Sequence, residues 1–395
     1  MIQRVKITDL KPGMFVVDPD KGKRLTPPVY TVEGYILSGN EGEKLAQRGF
    51  RYAFVDEARY LMDMILSSSE ADVEEELLPP QIVDFAAEQA RAAALHAQGV
   101  AAAQALTEQI RCNRDVNLRP LMPLFTDISA SIERNPNALA CLGRLRTKDD
   151  YTFTHCVNVA TYTAMLGRQL GVKRNRLPEL VMAGFFHDLG KLMMPEELLN
   201  HPGKYSKDQF EAMQNHCILG QAYINQHPGL PASAAAAALE HHERYQGGGY
   251  PFGLVGEDIC FAARVVAVAD VYDALSSRRA YKEPLHPAET LRIMYKDRER
   301  DFTPGFMDAL VSTIGVYPLG CFVRLSNRYW AVVTEFNPEL PLRPKVVQLA
   351  DSFGKALPRP CSVDLSVHLS LSIAQPVNGL PCPIDVEEAL RFARY

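Results

Sequence analysis

The amino-acid sequence predicts a multidomain, mainly α protein: an all-helical bundle preceded by a small α+β module and followed by a short β-rich tail. Three observations predict it. Residues 118–311 hold a series of helical segments separated by Pro, Gly and Asn, without a strand pattern among them. Before them, short β-type runs at 14–17, 29–32 and 52–55 alternate with Gly and Pro turns. After residue 317 come short, partly β-branched, Pro-bounded runs at 321–325, 329–334, 345–349 and 367–373.

These changes of character divide the chain into a module over 1–65, a helical connector over 66–130, a bundle over 131–318 and a β-rich extension over 319–395. The acidic, serine-containing stretch 67–76 reads as the link between the module and the helical part of the chain. Residues 81–110 are rich in Ala, Gln and Glu with few breakers, which predicts one long helix packing closely on its neighbours. Such a helix could also serve a homodimer. Within the bundle the helical segments fall at 157–170, 176–186, 207–226, 232–243 and 262–277.

Bulk properties narrow the class. The 395 residues are 47% hydrophobic and 23% charged, enough apolar material for a sizeable core. A net charge of -5 gives no general attraction to a nucleic acid polymer, so an anionic ligand needs local cations or metal. The eight cysteines are scattered without a CxxC pair, the usage of a reducing compartment, and the expected location is cytoplasmic. The opening MIQRVKITDLKPGM has no signal-peptide core and no run of apolar residues is long enough to span a bilayer, so membrane insertion is not expected.

Seven of the ten histidines lie between His155 and His242. His187 and Asp188 come directly after the apolar run 180–186, where an unpaired carboxylate is costly to ionise and a metal ion would remove the difficulty. His241 and His242 stand at the end of another helical segment. Neighbours diverge by about 100° around a helix axis, so both can face one site only near a helix end, which Gly247, Gly248 and Gly249 are expected to supply. Asp270, in VVAVAD, is again a carboxylate among apolar neighbours. Spacings of 25 to 32 residues, roughly one helical hairpin each, let successive helices bring His155, His187, Asp188, His216, His241, His242 and Asp270 together. Imidazole and carboxylate without thiolate suit Fe, Mn or Zn in a reactive site. The set exceeds the needs of one ion, and paired ions ~3.5–4 Å apart are the usual apparatus for attack on a phosphodiester. The bland readings stand beside this one. An isolated His-Asp dipeptide is common by chance, His216 alone would be a surface residue, and Asp273 is open between ligand and support. His96, His201, His227, His286 and His368 are taken as structural or solvated.

The runs HCVNVA (155–160), HDLGKLMMPEELL (187–199), NHPGKYS (200–206), HHERYQGGGYP (241–251) and ARVVAVADVYDALSSRRAYK (263–282) resemble the HD-GYP domain, a subgroup of the HD metal-dependent phosphohydrolases. The resemblance implies an HD-type bundle and a phosphodiesterase acting on cyclic di-GMP. It implies two divalent metal ions, Fe or Mn, held by the seven residues above with Asp188 bridging. A hydroxide between the ions would attack phosphorus and give the linear dinucleotide pGpG, with GMP after a second cut. Lys191 would contact a substrate phosphate and Arg279 and Lys282 would hold the others. The loop of Gly249, Tyr250 and Pro251 would shape the pocket and meet diguanylate cyclase (GGDEF) domains. Two positions depart from the family pattern. Gln246 stands where Asp is common, which bears on loop geometry and partner binding. Tyr151 stands where some members carry a Glu for a third metal, so a binuclear site is expected unless Asp149 or Asp150 substitutes. The opening ITDLKPGMFVV and the tail are similar to segments that flank such domains. Two rival readings keep part of the pattern: a catalytically inactive cyclic di-GMP receptor or scaffold, and an HD-type nucleotide phosphohydrolase.

Overall fold

The computed structural model describes residues 2–10, 15–16, 34–35, 52–56, 82–112, 116–143, 151–199, 201, 203–227, 229–277, 284–337 and 340–382. The run expected as a strand at 29–32 lies outside them, as do Asp149, Asp150, Arg279 and Lys282. The N-terminal strands are β1 (Ile2–Lys6), β2 (Phe15–Val16), β3 (Gly34–Tyr35) and β4 (Tyr52–Asp56). They form an antiparallel sheet in the order β1-β4-β2-β3.

The long helix α1 (Phe85–Arg111) starts at Asp84, whose carboxylate accepts a hydrogen bond from the Ala87 amide at 2.7 Å. Its buried face runs through Ala92, Leu95, His96, Gly99, Val100, Ala103, Leu106 and Ile110, steps of three and four that make one helical stripe. The alanines and Gly99 allow close approach: a Cβ at Gly99 would stand 2.9 Å from a Val157 methyl. That stripe shares one apolar core with a helical bundle. The bundle is made of α2 (Met122–Arg134), α3 (Pro136–Gly143), α4 (Tyr151–Gln169), α5 (Leu177–Phe186), α6 (Lys207–Asn225), α7 (Ala232–Glu240), α8 (Phe261–Ser276), α9 (Pro287–Lys296) and α10 (Phe306–Ile314). From Leu180 to Phe186 helix α5 is apolar and buried on every side, and it sits in the middle, against α2, α4, α7 and α8. Phe125 of α2 meets the edges of Phe185 and Phe186 with ring centroids 5.2 and 5.5 Å away.

The C-terminal strands are β5 (Phe322–Leu325), β6 (Trp330–Glu335), β7 (Lys345–Ala350), β8 (Ala356–Asp364) and β9 (Ile373–Val377), antiparallel in the order β8-β7-β6-β5-β9. Leu319, Val332, Val347 and Leu349 pack with Cys141 of α3 and Phe85 of α1, so this sheet rests on the helical body. One expectation needs correction here. The run 367–373 is not a strand: Asp364 accepts hydrogen bonds from Ser366 through its side chain and from Val367 and His368 through its carbonyl, turning the chain until Ile373. A strand that the sequence reading did not expect lies earlier, at β8, and contains Pro358 and Pro360. An edge strand tolerates proline because one row of its amides has no ladder partner to serve.

All eight cysteines are thiols rather than halves of disulfides. Among the described residues no helix is long and apolar enough to cross a membrane.

A buried ion pair fastens α1 to α2. Arg134 grips the buried Glu88 carboxylate with its Nε at 2.9 Å and one Nη at 2.8 Å. Burial pushes Glu88 toward its neutral acid, but Arg134 outweighs that and lowers its pKa. A lowered carboxylate pKa contributes stability that is complete above the ordinary value and lost as pH falls through the folded-state value. Arg134→Ala should therefore cost about 3 kcal/mol at neutral pH by stranding a buried charge. In urea titrations the gap between variant and wild type should narrow as pH falls below the carboxylate range.

Candidate metal centre

One first turn, two helix ends and two helix interiors deliver the candidate side chains. His155 lies in α4, one turn after the helix begins. His187 caps α5, and Asp188 stands between it and a 3-10 turn over Leu189–Met193. That turn is pressed onto α6, where any side chain at Gly190 would collide with the backbone of His216 and Gly220. Only glycine lets Asp188 stand beside His216. Helix α7 ends at Glu240 and His241 is its cap, so the helix stops earlier than residue 243. The glycines do not end it. They come later, with Gly247 and Gly248 at φ of 87° and 77° turning the loop back, while Gly249 packs against the backbone of residues 242–244. The expected consequence holds for another reason: beyond the helix end, the rings of His241 and His242 lie 4.0 Å apart, turned toward the same cluster.

The seven residues come together. Asp188 divides them into two groups by its two oxygens. Oδ1 lies 3.5 Å from His216 Nε2 and 3.5 Å from His241 Nε2, with His242 in the same group. Oδ2 lies 3.3 Å from His187 Nε2 and 3.8 Å from His155 Nε2. Asp270 closes the second group, with Oδ1 at 3.3 Å from His155 Nε2 and 3.8 Å from His187 Nε2. Lys191 donates to Asp188 Oδ2 at 2.6 Å.

The histidines are aimed from behind. Nδ1–H of His187 donates to Gly184 O at 2.7 Å, that of His216 to Met213 O at 2.7 Å, and that of His241 to Ala237 O at 3.0 Å. A carbonyl only accepts, so each of these rings carries a proton on Nδ1 and points its Nε2 inward. Behind His155 the acceptor is a carboxylate, Asp273 Oδ2 at 2.7 Å.

Charge and burial agree with that geometry. Burial lowers His216 to about 4 and holds His242 well below its usual value, so both rings are neutral at physiological pH. Burial opposes ionisation of Asp188, yet Lys191 and the adjacent histidines outweigh it and the carboxylate stays far below its usual range. Asp270 is lowered in the same way, chiefly by its hydrogen bond with His155. His155 itself, despite burial, is pushed up to about 9 by Asp270 and Asp273. Burial and the Asp188 charge push the Cys156 and Cys217 thiols up to about 12, so neither offers a thiolate. Buried atoms left without a hydrogen-bond partner include His187 Nε2, His241 Nε2 and Asp188 Oδ1. Buried donors and acceptors are ordinarily satisfied, and a divalent cation in each group of donors would give these atoms partners. Nitrogen and oxygen donors suit such an ion.

Tyr250 covers the His242 side, its ring 4.6 Å from that imidazole. The loop carrying Tyr250 and Pro251 is held by Glu243, whose carboxylate accepts from the Phe252 amide at 2.8 Å. The sequence offered a signal for Glu243, the third residue of HHE. Gln246 is exposed and its amide donates to Arg300 O at 3.0 Å, so backbone contacts fix the loop there. Beside His155, Asp188 and Lys191 lies a cavity of about 60 Å³ walled partly by Ala103, Leu106 and Thr107 of α1. A larger one of about 770 Å³ lies beyond Leu192, between Arg111, Met194 and Tyr223, away from the cluster. The remaining histidines stay outside the cluster: His227 donates to Tyr223 O at 2.8 Å, His286 caps α9, and His368 is exposed.

Comparison with known proteins bears on this arrangement. Residues 130–304 match the HD domain family, residues 322–380 a KOW domain associated with HD domains, and residues 2–121 a domain of unknown function. A cyclic di-GMP phosphodiesterase of Pseudomonas aeruginosa is 34% identical over 352 residues, 88% of this chain and 84% of that one. A cyclic di-GMP phosphodiesterase response regulator of Xanthomonas campestris is 36% identical over 190 residues, 48% of this chain and 50% of its own. A 3'3'-cGAMP-specific phosphodiesterase of Vibrio cholerae is 32% identical over 161 residues, 40% of this chain and 31% of its own. With an HD-domain match around the His/Asp cluster and a relative alike across most of both chains, this chain belongs to the HD-GYP family of HD-domain phosphodiesterases.

Proposed function

We propose that this protein hydrolyses cyclic di-GMP at a binuclear metal site, giving the linear dinucleotide pGpG and, with a second cut, GMP. The observation that carries the reading is the division of donors by Asp188. One oxygen faces His216, His241 and His242, the other faces His155, His187 and Asp270. Two divalent ions, Fe or Mn, would lower the pKa of a bound water and draw charge from the phosphoryl oxygens. The name of the Pseudomonas relative supports cyclic di-GMP as the substrate.

The chain's own residues bind and orient. Asp188 offers an oxygen to each group of ligands, and the hydrogen bonds behind His187, His216 and His241 hold their lone pairs in place. Lys191 is a half-exposed cation at the lip of the site, placed to meet a phosphate oxygen. Arg279 and Lys282, outside the described residues, would bind the remaining phosphate charge. Tyr250 and Pro251, fastened by Glu243, would form one wall of the substrate cleft. GGDEF domains as partners of that loop, a homodimer and a cytoplasmic location remain part of the proposal.

Three measurements check it. Protein loaded with Mn or Fe should cleave cyclic di-GMP, with chromatography resolving pGpG from GMP and 3'3'-cGAMP run beside it as the competing substrate. Chelation or Asp188→Ala should abolish turnover, and Lys191→Ala should lower kcat by about 10²-fold. Inert protein with metal bound would leave the receptor reading in its place. Separately, Asp273→Ala removes the acceptor behind His155 and should weaken metal affinity by about 10–100-fold, measured by equilibrium dialysis.

A further inference from the structure

Helix α1 lies in the segment matched by the domain of unknown function, yet it touches the candidate metal centre through buried polar contacts. His96, on its inner face, is 1% exposed and sits beside α4, where Asn158 is 3% exposed. Asn158 stands one turn after His155. Its Nδ2 donates to Asp273 Oδ1 at 2.8 Å and to Gly143 O at 3.3 Å. Both partners are acceptors, which fixes the amide orientation and turns Oδ1 toward α1. Oδ1 there receives His96 Nε2–H at 3.4 Å. Asp273 Oδ2 in turn accepts from His155 Nδ1–H at 2.7 Å. Ser277 adds a donor to Asp273 Oδ1 at 2.8 Å. The approach is built for this contact: Gly99, one turn beyond His96, brings α1 onto Val157, and a side chain at Gly143 would overlap the Asn158 amide.

We infer that His96 and Asn158 are positioning residues, through which the helix of the N-terminal segment sets the orientation of His155 and so the metal affinity of the HD domain. The chain runs His96, Asn158, Asp273, His155, each link a hydrogen bond between buried groups. Asp273 can hold His155 at one angle only if its own carboxylate is held, and Asn158 and Ser277 do that. Rotation or withdrawal of α1 removes the His96 donor, frees the Asn158 amide, and loosens the ring that faces Asp188 and Asp270. The inference rests on the metal-site reading above but not on the identity of the substrate.

The test is Mn²⁺ affinity of the purified full chain by equilibrium dialysis, with thermal melting of the metal-free proteins alongside. Asn158→Ala should weaken Mn²⁺ binding about ten-fold, the low end for loss of a residue that supports a ligand. His96→Ala should weaken it by a smaller factor, and His96→Gln, whose amide can still donate to Asn158 Oδ1, should restore it. Leu95→Ala removes apolar packing from the same helix without touching the hydrogen-bonded chain. It should lower the melting temperature and leave affinity unchanged. Unchanged affinity in folded Asn158→Ala and His96→Ala proteins overturns the inference, as does an equal loss in Leu95→Ala. A wild-type chain that binds Mn²⁺ but spares cyclic di-GMP sinks the substrate reading alone, and the affinity series still decides this one. A wild-type chain that binds no metal overturns both.

Discussion

A carboxylate at the end of an apolar helix has to be answered with positive charge, and the bundle is organised around that requirement. Asp188 terminates α5, the most deeply enclosed helix, where a negative charge without a partner would be costly. Its neighbours answer in two ways. Lys191 supplies a cation from one turn away, and the surrounding imidazoles supply lone pairs, which do nothing for a carboxylate until a metal ion lies between them. The neutral rings of His216 and His242 beside ionised aspartates make an incomplete electrostatic arrangement by themselves. With divalent cations included, the same groups complement one another.

That requirement explains details which packing alone does not. Gly190 is where the turn after Asp188 meets the α6 backbone, and a residue of any size there would push the carboxylate away from His216. The backbone carbonyls that accept from His187, His216 and His241 come from the preceding turn of the chain, so each ring is aimed by the helix that carries it. His155 is the exception. It points away from its helix to Asp273 and depends on another element for its orientation.

Much of this is legible in the sequence, for a reason that can be stated residue by residue. The apolar runs before His187 and around Asp270 leave polar groups where an ordinary core would have none, so the chemistry stands out against its background. Helical periodicity and punctuation are enough to place α4 to α8. What escapes depends on contacts between distant residues. The role of Asp273 stays open in the sequence because its partner His155 lies 118 positions away, and Asn158 looks like one more polar residue in a helix that also carries several threonines. Helix α7 stops sooner than its composition suggests, because the loop after it is tied back by Glu243 and by the backbone at Arg300. Strand β8 is hidden by two prolines that only an edge position permits.

Helix α1 draws apolar side chains into the core of the HD segment and also walls the cavity beside Asp188. The unit matched by family likeness and the unit that shares a core therefore differ in extent. Such a helix cannot be exchanged like a bead on a string. A foreign sensory segment joined at this point would have to reproduce the stripe from Ala92 to Ile110, including the gap at Gly99, before any signal it carries could reach the histidines. The seam at which modules can be recombined without damage thus lies upstream of residue 85, and ancestry traced through the front of the molecule has to respect the shape of the back.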